Sequence, residues 1–250
     1  MPRKTGPRAP GVAVKPWQDD QLQALLKEDN EHRIFDKLVD IARRMGFDFC
    51  AYGVRPPLPL TRQRIVMFNN YPAEWQGQYA KENYLAVDPT VLHGLRSPLP
   101  VIWSDEFFSG ARPFWEEARM HGLRYGWAQP CRDAYGTLGM FTVARSHDEL
   151  SDLEMQEKNF KLAWLTQIAH ISMTRVLVKK LTPEASVRLS MRETSVIRWT
   201  AEGKTTSEIS EIMGLSVRTV TFHIGNVVKK LNASNKTAAA VRAAVLGLLG

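Results

Sequence analysis

The C-terminal quarter constrains the fold most tightly, because it spells out where three helices must begin and end. In SMRE (190–193) the Ser190 hydroxyl can accept the backbone N–H of Glu193 while the Glu193 carboxylate reaches back, a capping box that starts a helix at Met191. Gly203 suits its end. TTSE (205–208) repeats the device and launches a second, shorter helix that Gly214 closes, and Ser216 caps a third, VRTVTFHIGNVVKKL. A short turn containing Gly between two helices is the helix-turn-helix arrangement. Val217, Val220, Ile224, Val227 and Leu231 recur at steps of three and four, so they are expected to face the core of this unit.

The opposite face of that helix carries Arg218, Thr221, Phe222, Gly225, Asn226 and Lys229. An aromatic ring among polar side chains fits a surface that is covered when it works, as in a DNA major groove. Lys204, Arg218, Lys229 and Lys230 would then hold phosphates, Thr221 or Phe222 would meet thymine methyls, and Thr205, Thr219 and Asn226 complete the expected contact set. A small helical module that binds protein is the alternative.

Charge supports a polyanionic partner. The net charge of +7 divides into +4 over residues 1–16, +4 from residue 181 onward and −1 between. The first sixteen residues hold four prolines and no acid, which predicts a disordered basic tail. No apolar run approaches the ~18 residues that span a bilayer, and the N-terminus lacks an apolar leader, so a cytoplasmic chain without a membrane partner is expected. Cys50 and Cys131 have no CxxC or Cys/His spacing, which predicts buried thiols and neither a metal site nor a disulfide.

Residues 17–180 read as a separate domain. Helical periodicity covers 17–28 and 31–45, the second with Ile34, Leu38 and Ile41 on one face. Strand-like runs follow at 47–54, 64–69, 100–103, 125–132 and 137–145, with helical segments near 73–84, 88–95 and 113–122 and a long helix from Leu150 to Leu181. The proline-rich RPPLPLTRQ joins the first two strands as a loop. Strands with helices on either side predict an α/β/α sandwich, residues 181–189 a linker, and the whole chain an α+β protein ending in an all-α module.

One stretch of the sandwich suggests a site. NNYPAEWQGQYAKENYLAVDP (69–89) crowds Tyr71, Trp75, Tyr79 and Tyr84 ahead of its one aspartate, Asp88, between Val87 and Pro89. Such aromatics can simply fill a core, or they can wall a pocket for a small apolar ligand gripped by two phenols, an indole N–H and one carboxylate. No GxSxG, HExxH or phosphate-binding glycine loop is present, and His170 has no sequence neighbour to make it catalytic. An enzyme is therefore not expected; a hydrolase using Asp88 as base is the different-class alternative.

The run GKTTSEISEIMGLSVRTVTFHIGNVVKKLNASNKTAA resembles the DNA-binding domain of the LuxR family. That family divides into phosphorylated response regulators and receptors for N-acyl-homoserine lactones. A response regulator needs an acidic cluster around a strand-end aspartate, which nothing before residue 100 offers, whereas YPAEWQGQY, VDP, IW (102–103) and FWEEARMHGLRYGW are similar to the autoinducer-binding domain. RPPLPLT, FWEEA and KLNASNK resemble the QscR-like receptors in particular.

The resemblance implies a lactone ligand and no cofactor. It implies that Trp75 donates to the lactone carbonyl, Tyr71 to the amide carbonyl, and Asp88 accepts the amide N–H. Trp103, Phe114 and Trp127 would pack around the ring, Tyr79 would cover the tail, Ala51 and Thr142 would meet the start of the acyl chain, and Gly139 would leave room. The apolar excess of KTAAAVRAAVLGLL and a second apolar face on the long helix, in a helix-turn-helix chain of this size, predict a homodimer on double-stranded DNA. Thr221 and Gly225 depart from the family pattern, where the first is commonly Lys and the second basic or polar, so DNA preference is expected to differ.

Overall fold

The computed structural model describes residues 23–61 and 65–250. The basic tail and the start of the helix expected over 17–28 lie outside the described residues.

Helix α1 (Glu31–Arg44) begins where the Asn30 side chain accepts from the His32 and Arg33 amides and buries Ile34, Leu38 and Ile41 on one face. Strands β1 (Phe49–Arg55) and β2 (Val66–Asn69) follow, then α2 (Ala73–Lys81) and the short α3 (Pro89–Gly94), which Asp88 caps. Strand β3 (Val101–Ile102) is only two residues long, and α4 (Arg112–Met120) leads into β4 (Tyr125–Arg132) and β5 (Leu138–Arg145). Pro100 and Trp103 bracket β3; Pro100 has no amide hydrogen to extend the ladder. Helix α5 (Asp152–Leu181) closes the domain.

The five strands are antiparallel in the order β2-β1-β5-β4-β3. Their alternation sorts side chains between two layers. Cys50, Tyr52, Val54, Trp127, Phe141 and Val143 point to a core shared with α1 and α5. Ala51, Gly53, Met140 and Thr142 face the other side, towards α2, α3 and α4, where Trp75, Phe108, Phe114 and Trp115 form a second cluster. The expected sandwich is thus present, and both cysteines are buried free thiols. Arg145 on β5 grips Glu154 on α5 with two hydrogen bonds of 2.9 and 2.7 Å, and Lys158 adds a third of 2.6 Å, pinning the long helix to the sheet.

A 3-10 turn (Pro183–Ser186) separates α5 from α6 (Met191–Ala201), α7 (Thr206–Met213), α8 (Val217–Lys230) and α9 (Lys236–Val245). Both capping boxes form, Ser190 with Glu193 and Thr205 with Glu208. Gly203 and Gly214 adopt left-handed φ of 83° and 61°, a conformation that side chains with a Cβ disfavour. Val196, Ile209, Val220 and Ile224 pack one side of the unit; Ile197, Val227, Leu231 and the alanines of α9 pack the other. Val217, expected in that core, is 48% exposed, because as the first residue of α8 it precedes the turn its neighbours cover.

Candidate ligand pocket and nucleic-acid face

Between the sheet floor and the aromatic cluster lies a partly open pocket. Ala51 pairs with Thr142 and Gly53 with Met140, so the floor narrows and widens along the strands. Gly53 matters most here: a Cβ built on it meets nothing within 4 Å. The opposite wall is aromatic. Trp75 is 2% exposed, and its ring lies 5.8 Å from Tyr79, 5.7 Å from Tyr84 and 5.6 Å from Phe114.

Asp88 is the buried acid of this pocket. One carboxylate oxygen accepts the Thr90 amide at 2.8 Å and the Thr90 hydroxyl at 2.7 Å; the other accepts the Tyr79 hydroxyl at 3.0 Å. A carboxylate only accepts, so every group it binds here must be a donor. Burial pushes the Asp88 carboxyl above its ordinary range, and the bonds from Thr90 and Tyr79 oppose that shift. Burial first and the nearby Asp88 charge second hold the Tyr79 phenol in its neutral, donating form, and burial does the same for Tyr71.

Trp103 brings an indole N–H that is buried without a protein acceptor. Its ring lies flat on Gly126, where a Cβ would sit 2.3 Å from ring carbon Cδ2, so no larger residue fits beneath it. An orphaned buried donor costs about 1–3 kcal/mol, which an acceptor on a bound molecule would relieve.

Tyr71, Trp75, Tyr79, Asp88, Trp103, Phe114, Ala51 and Thr142 therefore meet at one pocket. Trp127 does not: its position on β4 turns it to the other face of the sheet, into the core with α1 and α5. Gly139 lines the pocket through its backbone, as expected, while its Cα hydrogens face the other side of the sheet. A Cβ there would strike His170 Nδ1 at 2.4 Å and Cys131 Sγ at 2.8 Å, so the missing side chain makes room for those groups. The Tyr79 hydroxyl donates to Asp88 while its ring stays in the pocket wall. Thr90, Met67, Leu95, Trp115 and Met140 line the pocket without having been expected; the alternation of β5 through Thr142 pointed to Met140, and the Asx-type spacing of Asp88 and Thr90 pointed to the threonine.

His170 does have partners that only the fold brings together. Its Nδ1 lies 2.9 Å from the Tyr52 hydroxyl and its Nε2 4.0 Å from an Asp133 oxygen, and burial depresses its basicity.

On the C-terminal unit, Arg218, Thr221, Phe222 and Lys229 are exposed on one face of α8, Phe222 by 63%, with Thr219 and Asn226 half-buried beside them. The Thr219 hydroxyl contacts Ser216, and the Thr205 hydroxyl donates to Glu208, so both are engaged in capping. The Lys204 ammonium is 3.5 Å from Glu208. Lys230 is committed to the buried Glu193 at 2.6 Å, which ties the end of α8 to the start of α6. Burial opposes ionisation of Glu193, but Lys230 and Ser190 outweigh it and keep the carboxyl below its usual range.

A dry pocket with converging donors and one acceptor, joined to a helix-turn-helix unit with an exposed recognition face, defines a ligand-responsive DNA-binding regulator. Residues 30–173 match the autoinducer binding domain, and residues 187–243 match the bacterial regulatory proteins of the luxR family. The chain belongs to the LuxR family of quorum-sensing transcriptional regulators. It is 44% identical over 238 residues to the transcriptional activator protein AnoR of Acinetobacter nosocomialis, covering 94% of this chain and 100% of that one. The crystal structure of Escherichia coli SdiA matches with a TM-score of 0.82 at 34% identity, over 94% of this chain and 98% of SdiA. SdiA in complex with octanoyl-rac-glycerol matches with a TM-score of 0.81 at 32% identity, over 96% and 98%. No helix among the described residues is long and apolar enough to cross a membrane.

Proposed function

We propose that the pocket binds an N-acyl-homoserine lactone and that the liganded protein acts as a homodimer on a two-fold symmetric DNA site in the cytoplasm. The observation that carries the ligand reading is Asp88, a buried, acceptor-only carboxylate in the lining of an aromatic pocket. One such acceptor beside the Trp75 and Tyr71 donors suits a neutral molecule with two carbonyls and a single amide N–H. The apolar floor past Ala51 suits its acyl chain. The matched SdiA complex holds an octanoyl ester of glycerol, a ligand of related chemistry.

The division of labour follows the domains: residues 1–16 a tail, 17–180 the ligand domain, 181–189 the linker and 190–250 the DNA-binding unit. Arg218, Thr221, Phe222, Asn226 and Lys229 form the centre of the DNA contact, with Lys204, Thr205 and Thr219 at its rim. Lys230, which donates to Glu193, joins them at the rim with its exposed side chain.

Mass spectrometry of small molecules co-purified from cells supplied with mixed lactones tests the ligand, and following the lactone ring by NMR during incubation tests for turnover. The expected result is intact bound lactone. Ring opening at a rate proportional to protein would replace the receptor by a hydrolase, and an empty pocket in lactone-fed cells would overturn the ligand.

A further inference from the structure

The two structural units meet at a junction built from pocket walls. Gly53, Val54 and Arg55, the last residues of β1, line the pocket, and three residues beyond Arg55 the Leu58 side chain is buried among Ile197, Val227 and Leu231 of the DNA-binding unit. The link between them is Pro56-Pro57, both buried, whose fixed φ makes it a stiff connection. Strand β5 reaches the same place from the other wall. Leu138 and Met140 line the pocket, and two residues before Leu138 a Cβ on Gly136 would lie 3.2 Å from the Val245 carbonyl of α9 and 3.7 Å from Pro57. Gly247, just past α9, packs as closely on the Ala134 carbonyl, at 3.2 Å. Asp133 holds that hairpin turn by accepting from the Tyr135 and Thr137 amides, each at 2.9 Å.

We propose that Leu58 couples the far end of the pocket to the DNA-binding unit, so that an acyl chain long enough to reach Arg55 and Leu138 tightens the docking of the two domains. This rests on the lactone reading. Arg55 and Leu138 are paired across β1 and β5, and four residues at about 3.4 Å each put that row roughly 13 Å along the floor from Ala51. A short-chain lactone fills the polar end alone; a long-chain one also packs against the strand ends from which Leu58 and Gly136 project. Ordering those ends lowers the conformational freedom of the Leu58 anchor, and docking in turn strengthens binding of the long chain by the same factor.

Hydrogen exchange of the full-length protein with butanoyl- and dodecanoyl-homoserine lactone, in wild type, Leu58→Ala and Leu58→Val, tests the coupling. Both lactones are expected to slow exchange around Trp75 and Asp88 in all three proteins. Only the dodecanoyl lactone is expected to slow exchange of α6 and α9, by at least about three-fold, in wild type. Leu58→Ala loses that distant response and binds the dodecanoyl lactone correspondingly less tightly, with butanoyl affinity unchanged. Leu58→Val, a smaller truncation, reduces the response part-way and keeps the test readable if alanine unfolds the C-terminal unit. A distant response of wild-type size in Leu58→Val and Leu58→Ala overturns the proposal, as does pocket protection by the dodecanoyl lactone with none in α6 and α9 of wild type. Absence of pocket protection by either lactone in wild type overturns the lactone reading itself.

Discussion

Asp88 does two jobs with one side chain. It caps α3 through the Thr90 amide, and it lines a void walled by Trp75 and Tyr79. Asp88→Asn keeps the shape but turns half of that acceptor group into a donor, and Trp75→Phe deletes an indole N–H. Each is expected to weaken lactone response at least ~10-fold, from the loss of a buried polar partner worth about 1–3 kcal/mol. Dose–response curves of a lactone-dependent promoter check this, and wild-type midpoints in both variants contradict it. The place of Asp88 in the pocket was legible in the sequence because an aspartate between Val87 and Pro89, after four aromatics, is chemically conspicuous. Trp127 was misread because residue type does not fix the face it occupies. Which face of a strand a residue occupies depends on register, and aromatic or small character is equally at home on both faces.

At the scale of elements, boundaries written in capping chemistry were the most readable. The hydroxyls of Ser190, Thr205 and Ser216 and the glycines 203 and 214 act locally, so no long-range contact is needed to read them. Strand β3 shrank to two residues because its length depends on a partner strand far away in sequence. Helix α8 carries the recognition face, and Phe222→Ala is expected to abolish specific DNA binding while leaving lactone affinity unchanged. A normal promoter shift by that variant in an electrophoretic assay contradicts the assigned face. Helix α5 carries an acid-sensitive lock. The Arg145 hydrogen bonds, seconded by Lys158, lower the Glu154 carboxyl from 4.5 to about 2. A depressed folded-state value contributes stability that is fully present above pH 4.5 and is lost as pH falls towards 2. Glu154→Gln is therefore expected to flatten the fall in melting temperature over that window and to lower it at neutral pH; an unchanged acid slope contradicts the lock.

For the whole molecule, the apolar groups left outside both cores bear on assembly. Leu153, Phe160 and Ile171 of α5 are exposed by 69%, 72% and 50%, more apolar surface than one helix ordinarily leaves in water. One recognition helix reads too few bases for useful specificity, so a homodimer on a symmetric site of roughly 20 base pairs is expected, with α5 in the interface. Sedimentation of the lactone-bound protein, alone and with DNA, measures this. A monomer in both states contradicts the assembly, and a dimer that forms on DNA alone removes α5 from it.

The double employment of Asp88 has an evolutionary consequence. A substitution there disturbs the start of α3 and the Tyr79 and Thr90 bonds together, so the head-group end has little freedom to vary. The floor is different: Ala51, Gly53 and Thr142 stand on a sheet whose ladder is indifferent to their side chains. New signalling dialects can therefore arise by changes at those three positions, each step leaving a folded, lactone-gripping intermediate on which selection can act.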